Sequence, residues 1–207
     1  MGQNGHDSHH EELSFWRKYV FSVDHKVIGI QYGVTGLVFL FFGFCLMMLM
    51  RWQLAYPGEA VPAVFFAVPL FILGAVITIL GIMKRKFVTL LGLIMLGMGW
   101  LVWYLITGTE GMTGGIMLPE FYNSLGAMHG TIMVFMGVVP LAVGAFGNFV
   151  LPLQIGAPDM AFPKINMASY WSFFVGGVIM LYSFFVPGGA ANSGWTSYAP
   201  LSDIATT

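Results

Sequence analysis

His129 is the side chain in this sequence best placed to hold a metal, because a neutral imidazole nitrogen is a common metal ligand. It lies inside a long apolar run, 125–153. Polar groups are costly within such runs, so each is a candidate for function. Gly126, Gly130, Gly137 and Gly144 recur at spacings of four and seven residues, which places them on one helical stripe. A glycine stripe lets a second helix, or a flat macrocycle, come close. His129 is three residues from Gly126 and sits at the edge of that face. Its imidazole has two uses there: a hydrogen bond to a neighbouring helix, or axial ligation of a haem iron.

Two charged residues accompany it. Arg51 closes the apolar run 27–50. It serves either as an interfacial cation reaching for headgroups or as a fixed positive charge beside a cofactor. Asp159 closes the stretch Gln154-Ile-Gly-Ala-Pro-Asp159, with Asn148 and Asn166 on either side in sequence. It is either a turn carboxylate capping the next helix or a proton acceptor at the mouth of a hydrated path, with the amides ordering water. Other candidates carry less. Cys45 is the single cysteine and there is no CxxCH, so a covalently attached c-type haem is not expected. The 15 methionines read as lipid-facing or gap-filling residues. His6, His9 and His10 belong to a polar tail that reads as solvated.

The elements that position these residues follow from composition. Of 207 residues, 57% are hydrophobic and 8% charged, against about 25% charged in soluble domains. Lipid must be the solvent over much of the surface. Five runs reach the roughly 20 apolar residues a spanning helix needs: 27–50, 61–83, 87–107, 125–153 and 168–187. They lack period-two alternation, so the expected class is all-α, a polytopic transmembrane helix bundle. Arg17, Lys18, Lys26, Lys84, Arg85, Lys86 and Lys164 fall on one side when the N-terminus is cytoplasmic, leaving Arg51 on the other. Residues 1–26 form a polar cytoplasmic segment, with a short surface helix expected over 11–18. Residues 188–207 form a loop on the opposite, periplasmic side. Trp16, Trp52 and Trp195 fall near the interfaces, where aromatic belts lie. His129 and Arg51 thereby share one depth near the outer face, and Asp159 lies near the cytoplasmic mouth. Eight basic residues spread over this length make no nucleic-acid patch.

Several motifs are specific. The stretch His129-Gly-Thr-Ile-Met-Val-Phe resembles subunit I of the haem–copper terminal oxidases, as does Gly147-Asn-Phe-Val-Leu-Pro-Leu-Gln-Ile-Gly-Ala-Pro-Asp-Met-Ala-Phe-Pro-Lys-Ile-Asn166. Gly194-Trp-Thr-Ser-Tyr-Ala-Pro-Leu201 and the opening Asp24-His-Lys-Val-Ile-Gly29 are similar to the same family. The resemblance implies that His129 is one of two axial ligands of a low-spin haem, a-type by analogy. It implies that Arg51 contacts the haem edge, with Tyr122 and Trp195 as nearby aromatics. It further implies that Asp159 opens a D-type proton channel whose water is ordered by Asn148 and Asn166. The implied activity is proton-pumping electron transfer to O2 from cytochrome c, or from a quinol, in a bacterial inner membrane alongside other oxidase subunits.

There are departures from the pattern. Residues 61–107 form a hydrophobic hairpin where many family members carry a loop, and packing against another subunit is expected of it. Lys164 stands where arginine is usual, and Tyr-Ala-Pro-Leu replaces Tyr-Pro-Pro-Leu. The second low-spin haem ligand, the high-spin haem ligand and the copper-binding histidines fall outside this sequence. The bundle is thus expected to be incomplete relative to the family fold and inactive until the remainder of subunit I supplies them. A purely structural membrane segment without haem is the competing expectation. A cytochrome b-like protein would need paired histidines, and a transporter would show inverted repeats.

Overall fold

The computed structural model describes residues 14–84 and 86–200, with the backbone alone for Lys84, Lys86 and Phe87. Helix α1 spans His25–Ala55. It starts where the Asp24 carboxylate accepts the Lys26 amide at 2.7 Å and the Val27 amide at 3.4 Å, occupying two of the free donors that every helix start leaves. At 31 residues it is about 46 Å long, more than the roughly 30 Å of a hydrocarbon core. The helix continues through Arg51, Trp52 and Gln53, past the expected end of the span. Ahead of α1, Trp16–Val20 forms a single wide helical turn. Expectation put a surface helix over 11–18; Glu11 to Leu13 lie outside the described residues. Two hydrogen bonds from Gln31 Nε2, to the carbonyls of Tyr19 and Val20 at 2.6 and 3.0 Å, tie the turn to α1.

Helices α2 (Ala63–Lys84) and α3 (Lys86–Thr107) form an antiparallel hairpin. Its two backbones touch. A methyl group added at Gly74 would stand 2.8 Å from the Leu96 amide, and one at Gly92 would run into the Thr78 backbone. Lipid offers no hydrophobic drive between helices, so such close approach is what holds a membrane pair together. Ile72, Ile79 and Ile82, toward the Lys84 end of α2, are exposed. At its other end the hairpin joins the main core. Leu101, Val102 and Leu105 pack in one cluster with Phe42, Leu46 and Leu49 of α1, and Phe66 meets Trp52 edge-on at 6.0 Å.

A two-residue pair, β1 (Met112–Thr113) with β2 (Ile116–Met117), turns through Gly114 and Gly115 at φ 61° and 83°. Both central residues are left-handed, the geometry that a tight hairpin demands and glycine supplies. The fourth span runs over Pro119–Ile155. It opens as α4 (Pro119–Thr131), widens into π-type turns over Ile132–Val138 and Pro140–Phe146, and closes as α5 (Gly147–Ile155). Pro140 has no amide hydrogen to continue the ladder, and a widened turn accommodates the gap. Gly156 ends the span at φ 69°, a helix stop that glycine makes easily. Helix α6 (Pro163–Tyr182) follows, with one tight turn at Ser183–Phe185. The architecture is a helical bundle with five helices long and apolar enough to cross a membrane, and its only strands among the described residues are the pair just named.

Candidate functional site

His129 stands on the last turn of α4. Its Nδ1 lies 2.9 Å from the carbonyl oxygen of Gly43 on α1. A carbonyl oxygen has no proton to give, so Nδ1 must carry the hydrogen and donate it. The Nε2 lone pair of the neutral ring is then free, and the ring plane is fixed. This is how proteins prepare a histidine to ligate metal: the second nitrogen is tied so that the first is aimed. The hydrogen bond foreseen for this imidazole is made by one nitrogen and leaves the other unengaged. Gly43 permits the approach. A methyl group there would stand 2.6 Å from Met133 Sδ of the facing span.

The glycine stripe divides. Methyl groups at Gly137 and Gly144 would strike the side chains of Leu40 and Tyr32 at 2.5 and 2.6 Å, and one at Gly126 would touch Met50 at 3.3 Å. These three positions seat α1. At Gly130, beside His129, an added methyl group would meet nothing within 4 Å, so α1 leaves that part of the stripe open. Toward the start of α4, Tyr122 and Gly126 share the face of His129. They line a cavity of about 380 Å³ together with Met50, Asn123, Ala127, Asn192, Ser193 and Gly194. Arg51 is exposed one residue beyond Met50. Trp195 is 62% exposed, its ring 5.5 Å from Phe135. Trp52 is packed against Tyr56 at 4.5 Å and against the hairpin, with its Nε1 buried and without a hydrogen-bond partner among the described residues. The donor set here suits one side of a haem: an imidazole with a prepared Nε2 and an adjacent gap in side-chain cover.

At the opposite end, Asn148 on α5 is buried and fully engaged. Its Nδ2 donates to the Gly144 carbonyl at 2.7 Å, and its Oδ1 accepts from Asn166 Nδ2 at 2.6 Å. Its backbone carbonyl accepts from His25 Nδ1 at 2.8 Å. The two amides, 18 residues apart, thus meet directly. They line a second cavity, about 500 Å³, with Tyr32, Met160 and Ser169. Tyr32 and Ser169 hydroxyls are 3.1 Å apart, and one turn on, Thr35 and Tyr170 hydroxyls are 3.0 Å apart. A ladder of hydroxyl and amide groups therefore rises between α1 and α6. Asp159 is exposed on the loop before α6 and, among the described residues, accepts only the amide of its neighbour Met160, at 2.7 Å. It does not cap α6: Phe162 holds that position, with Pro163 first in the helix. Sequence reading left His25 as part of a motif without a task; it is 3% exposed and locks α1 to α5. An Asp-His pair ahead of an apolar run marks a helix start, and nothing in it signals a bond made 123 residues away.

This geometry places a prepared imidazole near one end of a helical membrane bundle and a polar ladder near the other. The sequence model of the family described as Cytochrome C and Quinol oxidase polypeptide I matches residues 27–207. Cytochrome c oxidase subunit 1 of Synechocystis sp. is 35% identical over 188 residues, 90% of this chain and 24% of that protein. The subunit of the same name from Thermostichus vulcanus is 33% identical over 199 residues, 96% of this chain and 26% of its own length. That of Corynebacterium efficiens is 56% identical over 84 residues, 41% of this chain. The chain belongs to the cytochrome c and quinol oxidase polypeptide I family and is a multi-pass membrane protein. It spans about a quarter of the length of the first two of these relatives.

Proposed function

We propose that the chain is the N-terminal part of the catalytic subunit of a proton-pumping haem–copper oxidase that passes electrons from cytochrome c to O2. The observation that carries this reading is the hydrogen bond from His129 Nδ1 to the Gly43 carbonyl, which leaves Nε2 available as an axial ligand of a low-spin, a-type haem. When bound, that haem supplies a one-electron relay. This chain's own part is to hold the imidazole in one tautomer and to keep the Gly130 face clear. Arg51 adds positive charge near the haem edge, with Tyr122 and Trp195 beside it. At the other end, Asp159 collects protons at the bacterial inner membrane's cytoplasmic face, and Asn148 and Asn166 order the water that leads them inward. The remainder of the subunit brings the second haem ligand, the high-spin haem and copper, and other subunits bring the electron donor's site.

In the assembled enzyme, His129→Ala abolishes the low-spin haem signal in the reduced spectrum; an intact signal would remove the ligand role. Asp159→Asn slows proton uptake and lowers the number of protons pumped per electron. Unchanged turnover together with unchanged stoichiometry would take the entry role away from Asp159.

A further inference from the structure

Two hydroxyl pairs cross from α1 to α6, and only one of them reaches the second cavity. Tyr32 and Ser169 line it beside Asn148 and Asn166, whereas Thr35 and Tyr170 do not. The pair at the cavity has a direction. Ser169 Oγ has one hydrogen and gives it to the Asn166 carbonyl at 2.7 Å. The Tyr32 hydroxyl, 3.1 Å from that oxygen, must therefore donate to it. Toward the cavity the phenolic oxygen is then an acceptor only, and its position depends on the ring. That ring is held from behind. Tyr32 and Tyr170 are buried and, with Ile28, form a small cluster apart from the main core. Their rings meet edge-on, 5.1 Å between centroids at 82°, an arrangement that aromatic pairs favour. Phe173 lies 5.3 Å from Tyr32 on another side. The Tyr170 ring is itself tied, because its hydroxyl pairs with Thr35 Oγ1 at 3.0 Å. Thr35 is three residues from Tyr32, and Tyr170 is next to Ser169. The outer pair thus pins α6 to α1 at the level where the inner pair must form.

We infer that Thr35 and Tyr170 are positioning residues for proton uptake: their hydroxyl pair, outside the cavity, holds the Tyr32 ring so that its hydroxyl donates to Ser169 and its oxygen faces the water in the cavity. Neither residue carries a proton along the path. The inference rests on the reading of the Asn148–Asn166 end as a proton path.

The test uses the assembled enzyme in vesicles, with its tyrosines isotopically labelled. Tyr170→Phe and Thr35→Val each remove one hydroxyl and keep the shape of the side chain. Proton uptake is timed in both, and the phenolic C–O infrared band of Tyr32 is followed, identified by its loss in Tyr32→Phe. In each variant uptake slows by about threefold, the weight of one average hydrogen bond between membrane helices, and the Tyr32 band moves. Thr35→Ser restores the hydroxyl, and with it the rate and the band. Uptake that stays at the wild-type rate in both variants overturns the inference, whether or not the band moves. Slowed uptake with an unmoved Tyr32 band overturns it too, because the effect then bypasses the ring. Should Tyr170→Phe fail to assemble, Thr35→Val decides alone. Unchanged uptake in Asp159→Asn instead defeats the proton-path reading itself.

Discussion

The α2–α3 hairpin and the contact of α1 with the fourth span are built by the same device and reach different ends. Both bring helices together at glycines where a methyl group would not fit. In the hairpin the relation is reciprocal: Gly74 meets the backbone of α3, Gly92 the backbone of α2, and the interface closes on itself. Along the fourth span, Gly137 and Gly144 seat the side chains of Leu40 and Tyr32, while Gly130 faces open space. Polar groups follow the same division. The hairpin's contact face uses the Thr78 hydroxyl only within its own helix, on the Gly74 carbonyl at 2.7 Å. The fourth span carries His129 and Asn148, each bonded to another element. Small residues make close packing possible, and a gap in the stripe beside a prepared side chain is what separates a candidate site from a structural seam.

Four substitutions break or sharpen that contrast. Gly144→Leu forces α1 from the fourth span and costs about 1–3 kcal/mol or more, as overpacking does. It also disturbs the Asn148 bond to the Gly144 carbonyl. Gly92→Leu costs a similar amount in the hairpin but leaves the low-spin haem spectrum unchanged. Thermal unfolding followed alongside the haem spectrum separates the two, and equal spectral damage from both would erase the distinction. Asn148→Leu is next: it removes the partner of the half-buried Asn166 amide, a loss of about 1 kcal/mol for a hydrogen bond that solvent partly replaces, visible as a lower midpoint in the same unfolding measurement. Gly130→Ala is the smallest, within about 0.5 kcal/mol, because the methyl group meets nothing in this chain. A large loss in the isolated chain would mean that the gap is closed.

The spans were legible because hydropathy alone marks them, but their ends were not. The fourth span begins at Pro119 rather than near Leu125. Glu120, Asn123 and Ser124 dilute the apolar signal there, while Pro119 at the first helical position favours the start. Helix α6 similarly begins at Pro163, ahead of the expected Ala168. The glycine stripe was visible by spacing, yet its division at Gly130 depends on where α1 lies. The interlocking of Gly74 and Gly92 escaped notice because glycine is abundant throughout, 27 residues in all. Of the site, His129, Asn148 and Asn166 were legible as polar groups beside or within apolar runs. The direct bond between the two asparagines was not, since it requires the Gly156 turn to bring α6 back beside α5. Nor was the task of His25, whose partner is distant in sequence.

The most direct test is an experimental structure of the haem-loaded subunit, resolved well enough to fix the His129 ring. The expected result is an iron on His129 Nε2, with Nδ1 still donating to the Gly43 carbonyl. An iron on Nδ1, or a His129 with no metal while the low-spin haem sits elsewhere, would contradict it.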